Sequence, residues 1–117
     1  MDHETRTHVA GRLPPAYEPR EPLAPPTSPY EGITLADSYA IQLLQIDQRL
    51  ASGRTVQGHK VGLTSAAMQR LLGVSEPDYG HLLDDFFHLE HAPIPMSLFV
   101  QPRVEPEVAF VLKKPLT

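Results

Sequence analysis

A chain of 117 residues, 41% hydrophobic and 21% charged, has the composition of a soluble globular protein, and a domain this small buries its core incompletely. A net charge of -4 and a pI near 5.8 argue against a nucleic-acid binder, which carries a basic patch; Lys113-Lys114 is the one adjacent basic pair and reads as a solvated strand end. The absence of cysteine removes disulfides, thiolate nucleophiles and zinc–thiolate sites, and no apolar run approaches membrane-spanning length.

Asp2, His3, Glu4 and Arg6 make a polar N-terminus without the apolar core of a signal peptide, so the expected location is cytoplasmic. Residues 14–29 then hold seven of the 13 prolines, from Pro14 to Pro29. That density removes backbone donors and disfavours helix, which predicts an extended or polyproline-like tether. The expected division is a proline-rich N-terminal segment over 1–32, followed by a domain over 33–117.

Thr34 is placed to cap a helix, with Asp37 as the acid of a capping box. Leu35, Tyr39, Leu43, Ile46 and Leu50 form an apolar stripe, widened by Ala36, Ala40 and Leu44, and Gly53 is the expected stop. Tyr39 and Gln42 are explained by packing and solvent exposure, so this helix reads as scaffold. Val56 to Leu63 reads as a strand carrying Lys60 between Gly58 and Gly62, and glycine within a strand marks close approach by another group.

Ser65 caps a short helix over Ala66 to Leu72 that should bury Met68, Leu71 and Leu72 and end at Gly73. Pro77-Asp78-Tyr79-Gly80 has the chemistry of a turn, and 82–87 is open between a helical turn and a short strand. Pro93 and Pro95 break the chain before a second expected strand near 97–101, and 104–112 reads as the closing strand. Short strands mixed with a few helices predict an α+β or mainly β architecture and not a doubly wound sheet.

Alternation on that closing strand puts Glu105 and Glu107 on one face, with Val104, Val108, Phe110 and Leu112 on the other. Two carboxylates about 7 Å apart on an apolar strand repel unless something offsets them. A hard divalent cation does so, and an edge strand with its acidic face in water is the alternative. Lys60 can bind a substrate carboxylate, stabilise enolate charge, or exchange a proton if its pKa falls; the plain alternative is an exposed strand lysine. Asp78 reads as an Asx-type turn residue on spacing alone. His81, His88 and His91 with Asp84 and Asp85 approximate a nitrogen-rich cluster, but Pro93 limits the helix this needs, and surface histidines are the simpler reading. His59 faces away from Lys60 and reads as packing; Ser65 lacks nucleophile-elbow glycines.

Gly58-His59-Lys60-Val61-Gly62-Leu63-Thr64-Ser65, then Leu72-Gly73-Val74, then Pro77-Asp78-Tyr79-Gly80 and Arg103 to Leu112 occur in one order. That ordered set resembles the 2-keto-4-pentenoate hydratase family of the fumarylacetoacetate hydrolase superfamily, from about Tyr30 to Thr117. The resemblance implies the N-terminal part of a mixed β-sheet roll with a few short helices, cut off as the family enters a turn at residues 113–117. It implies Glu105 and Glu107 as ligands of Mg2+ or Mn2+, with a third carboxylate in a later segment absent here.

It also implies Lys60, Asp78 and Asp84 as catalytic residues, Asp84 being preferred over Asp85 as the one facing the cleft. The implied reaction adds water to a small 2-hydroxy-2,4-dienoate, giving a 4-hydroxy-2-oxo acid in aromatic catabolism. No nucleic acid or membrane is involved, and the full-length enzyme is expected to be a homo-oligomer. Two rivals are a metal-dependent 2-oxo-enedioate decarboxylase on the same fold and a non-catalytic fragment. As a fragment, the chain should expose apolar surface around Phe86, Phe87, Phe99 and Phe110 and self-associate.

Overall fold

Thr34 opens the longest helix as its sequence requires. Its hydroxyl accepts the Asp37 N–H at 3.1 Å, and the Asp37 carboxylate accepts the Thr34 N–H at 3.0 Å. This reciprocal cap satisfies backbone donors that a helix start leaves free. The computed structural model describes residues 1–114 of the chain. The regular elements are α1 (His3–Arg12), α2 (Leu35–Ala51), β1 (Val56–Gly62), α3 (Ala66–Leu72) and β2 (Asp78–Leu83), with 3-10 turns at Pro14–Tyr17, Asp84–Phe86 and Met96–Leu98. Helices and a sheet side by side bear out the α+β expectation. Strands β1 and β2 pair antiparallel as a two-stranded sheet.

The N-terminal segment is more than a tether. Asp2 caps α1 by accepting the Thr5 N–H at 2.8 Å, and α1 packs on α2, contributing Val9 and Ala10 to a core completed by Ile41. Met1, Leu13, Tyr30 and Leu44 close around it. Proline density does not forbid helix at Pro14–Tyr17, because proline fits the first turn of a helix, where its missing donor is not needed. The apolar stripe on α2 also differs from expectation: Asp37, Ile41 and Ile46 are buried while Leu35, Leu43 and Leu50 stay exposed. Docking of α1 selects the buried face, and the helix's own periodicity could not.

Between α1 and α2 lies a half-buried ion pair, in which Asp37 is buried and Arg6 is partly exposed. Arg6 donates to Asp37 Oδ1 through Nε at 2.9 Å and Nη2 at 2.7 Å, and the terminal ammonium of Met1 stands 3.4 Å from the same oxygen. Bonds from Thr34, then Arg6, hold the Asp37 carboxyl well below the usual carboxylate range.

Ser65 caps α3 by accepting the Met68 N–H at 3.2 Å, and Gly73 ends it in the left-handed conformation at φ 70°. The expected burial fails there, since Leu71 is 74% exposed and Met68 and Leu72 are also exposed. Asp78 to Gly80, expected as a turn, is the start of β2, because pairing with β1 satisfies its backbone. The open segment 82–87 resolves into the end of β2 and a 3-10 turn.

The strand near 97–101 is replaced by the Met96–Leu98 turn, and 104–112 forms no strand. Among the described residues no strand pairs with 104–112, and a strand without a ladder has no structure to hold. Both of its faces are in solvent, with Val104 98% and Val111 100% exposed. The expected turn reaches residues 115–117, which lie outside the described residues.

Candidate functional site

The β1–β2 register builds the site. Lys60 sits opposite Gly80, and Gly62 opposite Asp78. Alternation places Gly58, Lys60 and Gly62 on one face, with Gly80 and Asp78 beside them from β2. Lys60 therefore rises from a floor without side chains on three sides. Gly62 has a specific purpose, since a Cβ there would collide with Asp78 Oδ1. The Asp78 carboxylate lies over β1 at that point, a diagonal cross-strand neighbour of Lys60 at about 7–8 Å by sheet geometry.

Glu105 and Glu107 reach the same lysine from the exposed segment. Lys60 Nζ donates to Glu105 Oε2 at 2.7 Å and to Glu107 Oε1 at 3.3 Å. The three side chains are 47%, 62% and 58% exposed, so these pairs are open and weakly held. Bonds from Glu105 and then Glu107 raise the Lys60 pKa, while the Lys60 bond lowers that of Glu105. Proton exchange by Lys60 through a lowered pKa is thus opposed in this arrangement, which holds an ammonium.

Convergence of two carboxylates on one cation bears on metal binding. Their oxygens are hard donors already gathered about a positive charge, which fits a hard divalent ion. Two carboxylates are fewer ligands than such an ion takes. Among the described residues no group of three or more His, Cys, Asp or Glu is arranged to hold a metal. His81, His88 and His91 with Asp84 and Asp85 therefore do not assemble into a metal cluster. His81 instead faces His59 across the sheet, ring centroids 4.8 Å apart, with its Nδ1 buried and unpartnered.

Asp84 lies at the other end of β2, about 13 Å along the strand from the level of Lys60. Its N–H donates to the Thr55 carbonyl at 2.9 Å, and its carboxylate accepts from the Thr55 N–H at 3.4 Å and the Asp85 N–H at 3.1 Å. Asp85 is held by Arg49, and by Arg54 at 3.5 Å. The hairpin thus brings Lys60 and Asp78 together, the Glu pair joins them, and Asp84 stands apart.

Sequence reasoning missed the part played by α2. Tyr39 stacks on Tyr79 with centroids 4.6 Å apart, and its hydroxyl accepts the Tyr79 N–H at 3.4 Å. Gln42 Nε2 donates to the Tyr79 carbonyl, also at 3.4 Å. These two residues clamp the backbone between Asp78 and Gly80. Tyr39 and Gln42 stand three apart, on one face of a helix, and that spacing is the signal that could have suggested a shared target.

Comparison with known proteins finds relatives along nearly the whole chain. It is 48% identical over 116 residues to a 2-oxo-hept-4-ene-1,7-dioate hydratase of Escherichia coli, covering 99% of this chain and 43% of that one. It is 40% identical over 116 residues to a 2-keto-4-pentenoate hydratase of Paraburkholderia xenovorans, with the same coverage of 99% and 43%. The chain thus spans less than half the length of these relatives. Among solved structures, 4-oxalocrotonate decarboxylase from Pseudomonas putida G7, complexed with magnesium and adipate, superposes with a TM-score of 0.69 at 30% identity, over 74% of this chain and 33% of that one. The same enzyme complexed with calcium and acetate superposes equally well. No protein-family model matches the chain.

Proposed function

The chain is a homologue of the 2-keto-4-pentenoate hydratases over 99% of its length, and on that premise we propose that it carries the lysine, aspartate and two metal-binding glutamates of a hydro-lyase. The reaction adds water to a 2-hydroxy-2,4-dienoate and yields a 4-hydroxy-2-oxo acid, as a step in the breakdown of aromatic compounds. The observation that carries this reading is the convergence of Glu105, Glu107 and Lys60 on the glycine-floored face that also bears Asp78.

In this reading Glu105 and Glu107 would hold Mg2+ or Mn2+, which when bound would supply Lewis-acid chemistry toward the anionic substrate. Lys60 presents an ammonium to the anionic substrate and offsets negative charge as it develops on the C2 oxygen. Asp78 accepts the proton of the 2-hydroxyl, and Lys60, as the acid of the pair, supports its return to carbon, converting dienol to enone. Water then adds at C4, where conjugation to the C2 carbonyl makes carbon electrophilic. Asp84, apart from these groups, is assigned a supporting part in this reading, since its bonds to Thr55 fix the end of the strand that carries Asp78.

The parent architecture is a fumarylacetoacetate-hydrolase-like roll, with 33–117 as part of the hydratase domain and 1–32 as its proline-rich leading segment. The full-length enzyme is proposed as a cytoplasmic homo-oligomer. No helix among the described residues is long and apolar enough to cross a membrane. A second reading, decarboxylation of a 2-oxo-enedioate, is favoured by the likeness to the magnesium-bound decarboxylase.

Calorimetric titration with Mg2+ and Mn2+ tests the metal site, and turnover of 2-hydroxypenta-2,4-dienoate, followed as loss of dienoate absorbance, tests the reaction. Saturable binding is expected, lost in the Glu105→Gln, Glu107→Gln double variant. Lys60→Ala should lower any hydration rate by about 10²-fold or more. Binding that survives the double variant would refute the metal assignment, and release of CO2 from a 2-oxo-enedioate without dienoate hydration would favour the second reading.

A further inference from the structure

Lys60 Nζ already stands where the two carboxylates converge, 2.7 Å from Glu105 Oε2 and 3.3 Å from Glu107 Oε1. A divalent ion coordinated by the same oxygens at about 2.1 Å cannot share that point with an ammonium, because the two cations would overlap and repel. Among the described residues no backbone hydrogen bond ties 101–114 to β1 or β2. Among these residues the ammonium of Lys60 is the hairpin group that meets both glutamates.

We propose that Lys60 is a resident counter-cation, which keeps Glu105 and Glu107 together before metal arrives and is expelled when a hard divalent cation binds them. The inference rests on the assignment of Glu105 and Glu107 as metal ligands. The exchange is downhill because open single-charge pairs are weak, whereas a divalent ion doubles the charge and coordinates directly. Lys60 is already 47% exposed, so the displaced side chain has solvent to move into. Metal loading and release of the ammonium toward the substrate become one event, so the site is not charged for catalysis until the ion is in place.

The chain holds three lysines, Lys60, Lys113 and Lys114, so competitive amine acetylation read by mass spectrometry contains its own controls. Saturating Mg2+ is expected to raise the acetylation rate of Lys60 about three- to tenfold, with Lys113 and Lys114 unchanged. In calorimetry Lys60→Met should bind Mg2+ about tenfold more tightly than the parent chain. Metal binding in Lys60→Met alone, with none detected in the parent, overturns the exchange, because the ammonium then blocks the ion and is not expelled by it. Glu-dependent metal binding with Lys60 labelling unchanged or reduced overturns it while leaving the metal assignment intact. Absence of binding in both proteins, or binding indifferent to Glu105→Gln and Glu107→Gln, removes the metal assignment and the inference with it.

Discussion

Gly62 shows how one missing side chain sets the geometry of a site. A Cβ there meets Asp78 Oδ1 and comes within 3.3 Å of Asp78 Cγ, so an alanine forces a short and otherwise unobstructed side chain to swing away. The obstacle is the carboxylate of an exposed residue, so the cost falls on the position of Asp78 more than on stability. Gly62→Ala is expected to change the denaturation midpoint by the equivalent of about 1 kcal/mol or less. It should lower dienoate turnover nearly as much as Asp78→Ala, and the double variant should be no worse than either single one. Additive losses in that cycle would show that Gly62 acts independently of Asp78. At this scale the sequence was informative, since Gly58-His59-Lys60-Val61-Gly62 announces a close approach, but the group that approaches is set by the strand register.

The α1–α2 contact belongs to the scale of elements. Asp37 serves both as the capping-box acid of α2 and as the buried partner of Arg6. Its folded pKa lies below the unfolded value of about 3.9, so its stabilisation is fully present above that value. The contribution is lost as pH falls through the folded value. Asp37→Asn removes the charge that Arg6 needs while keeping part of the cap. Its melting temperature at pH 7 is expected to fall by roughly 5–10 °C, and its stability should decline less than the parent's between pH 4 and pH 2. A variant with the parent's melting temperature and acid sensitivity would mean that the pair does not couple the helices. The cap was legible because Thr34 and Asp37 are three residues apart, whereas the partner Arg6 is thirty-one residues from Asp37 and leaves no local signal.

At the scale of the whole molecule, apolar side chains remain uncovered along α3, on Phe86 and Phe87, and over 104–112. Apolar surface in this amount drives association. The chain is expected to elute larger than 13.0 kDa in size-exclusion chromatography at micromolar concentration, and Val108→Lys with Phe110→Asp should shift it toward monomer. A concentration-independent monomer peak from the parent chain would contradict this. Local chemistry by itself determined α2 with its capping box, β1 with Lys60 between glycines, and α3 between Ser65 and Gly73. Each depends on neighbours within a turn or a strand repeat, where propensity and capping act. Only the tertiary structure decided that α1 is docked, that 78–83 is a strand and 104–112 is not, that Asp84 stands apart from Asp78, and that Lys60 lies between the glutamates. Those outcomes depend on which distant backbone is present to complete a ladder or bury a face, and one segment's sequence carries no record of its partner.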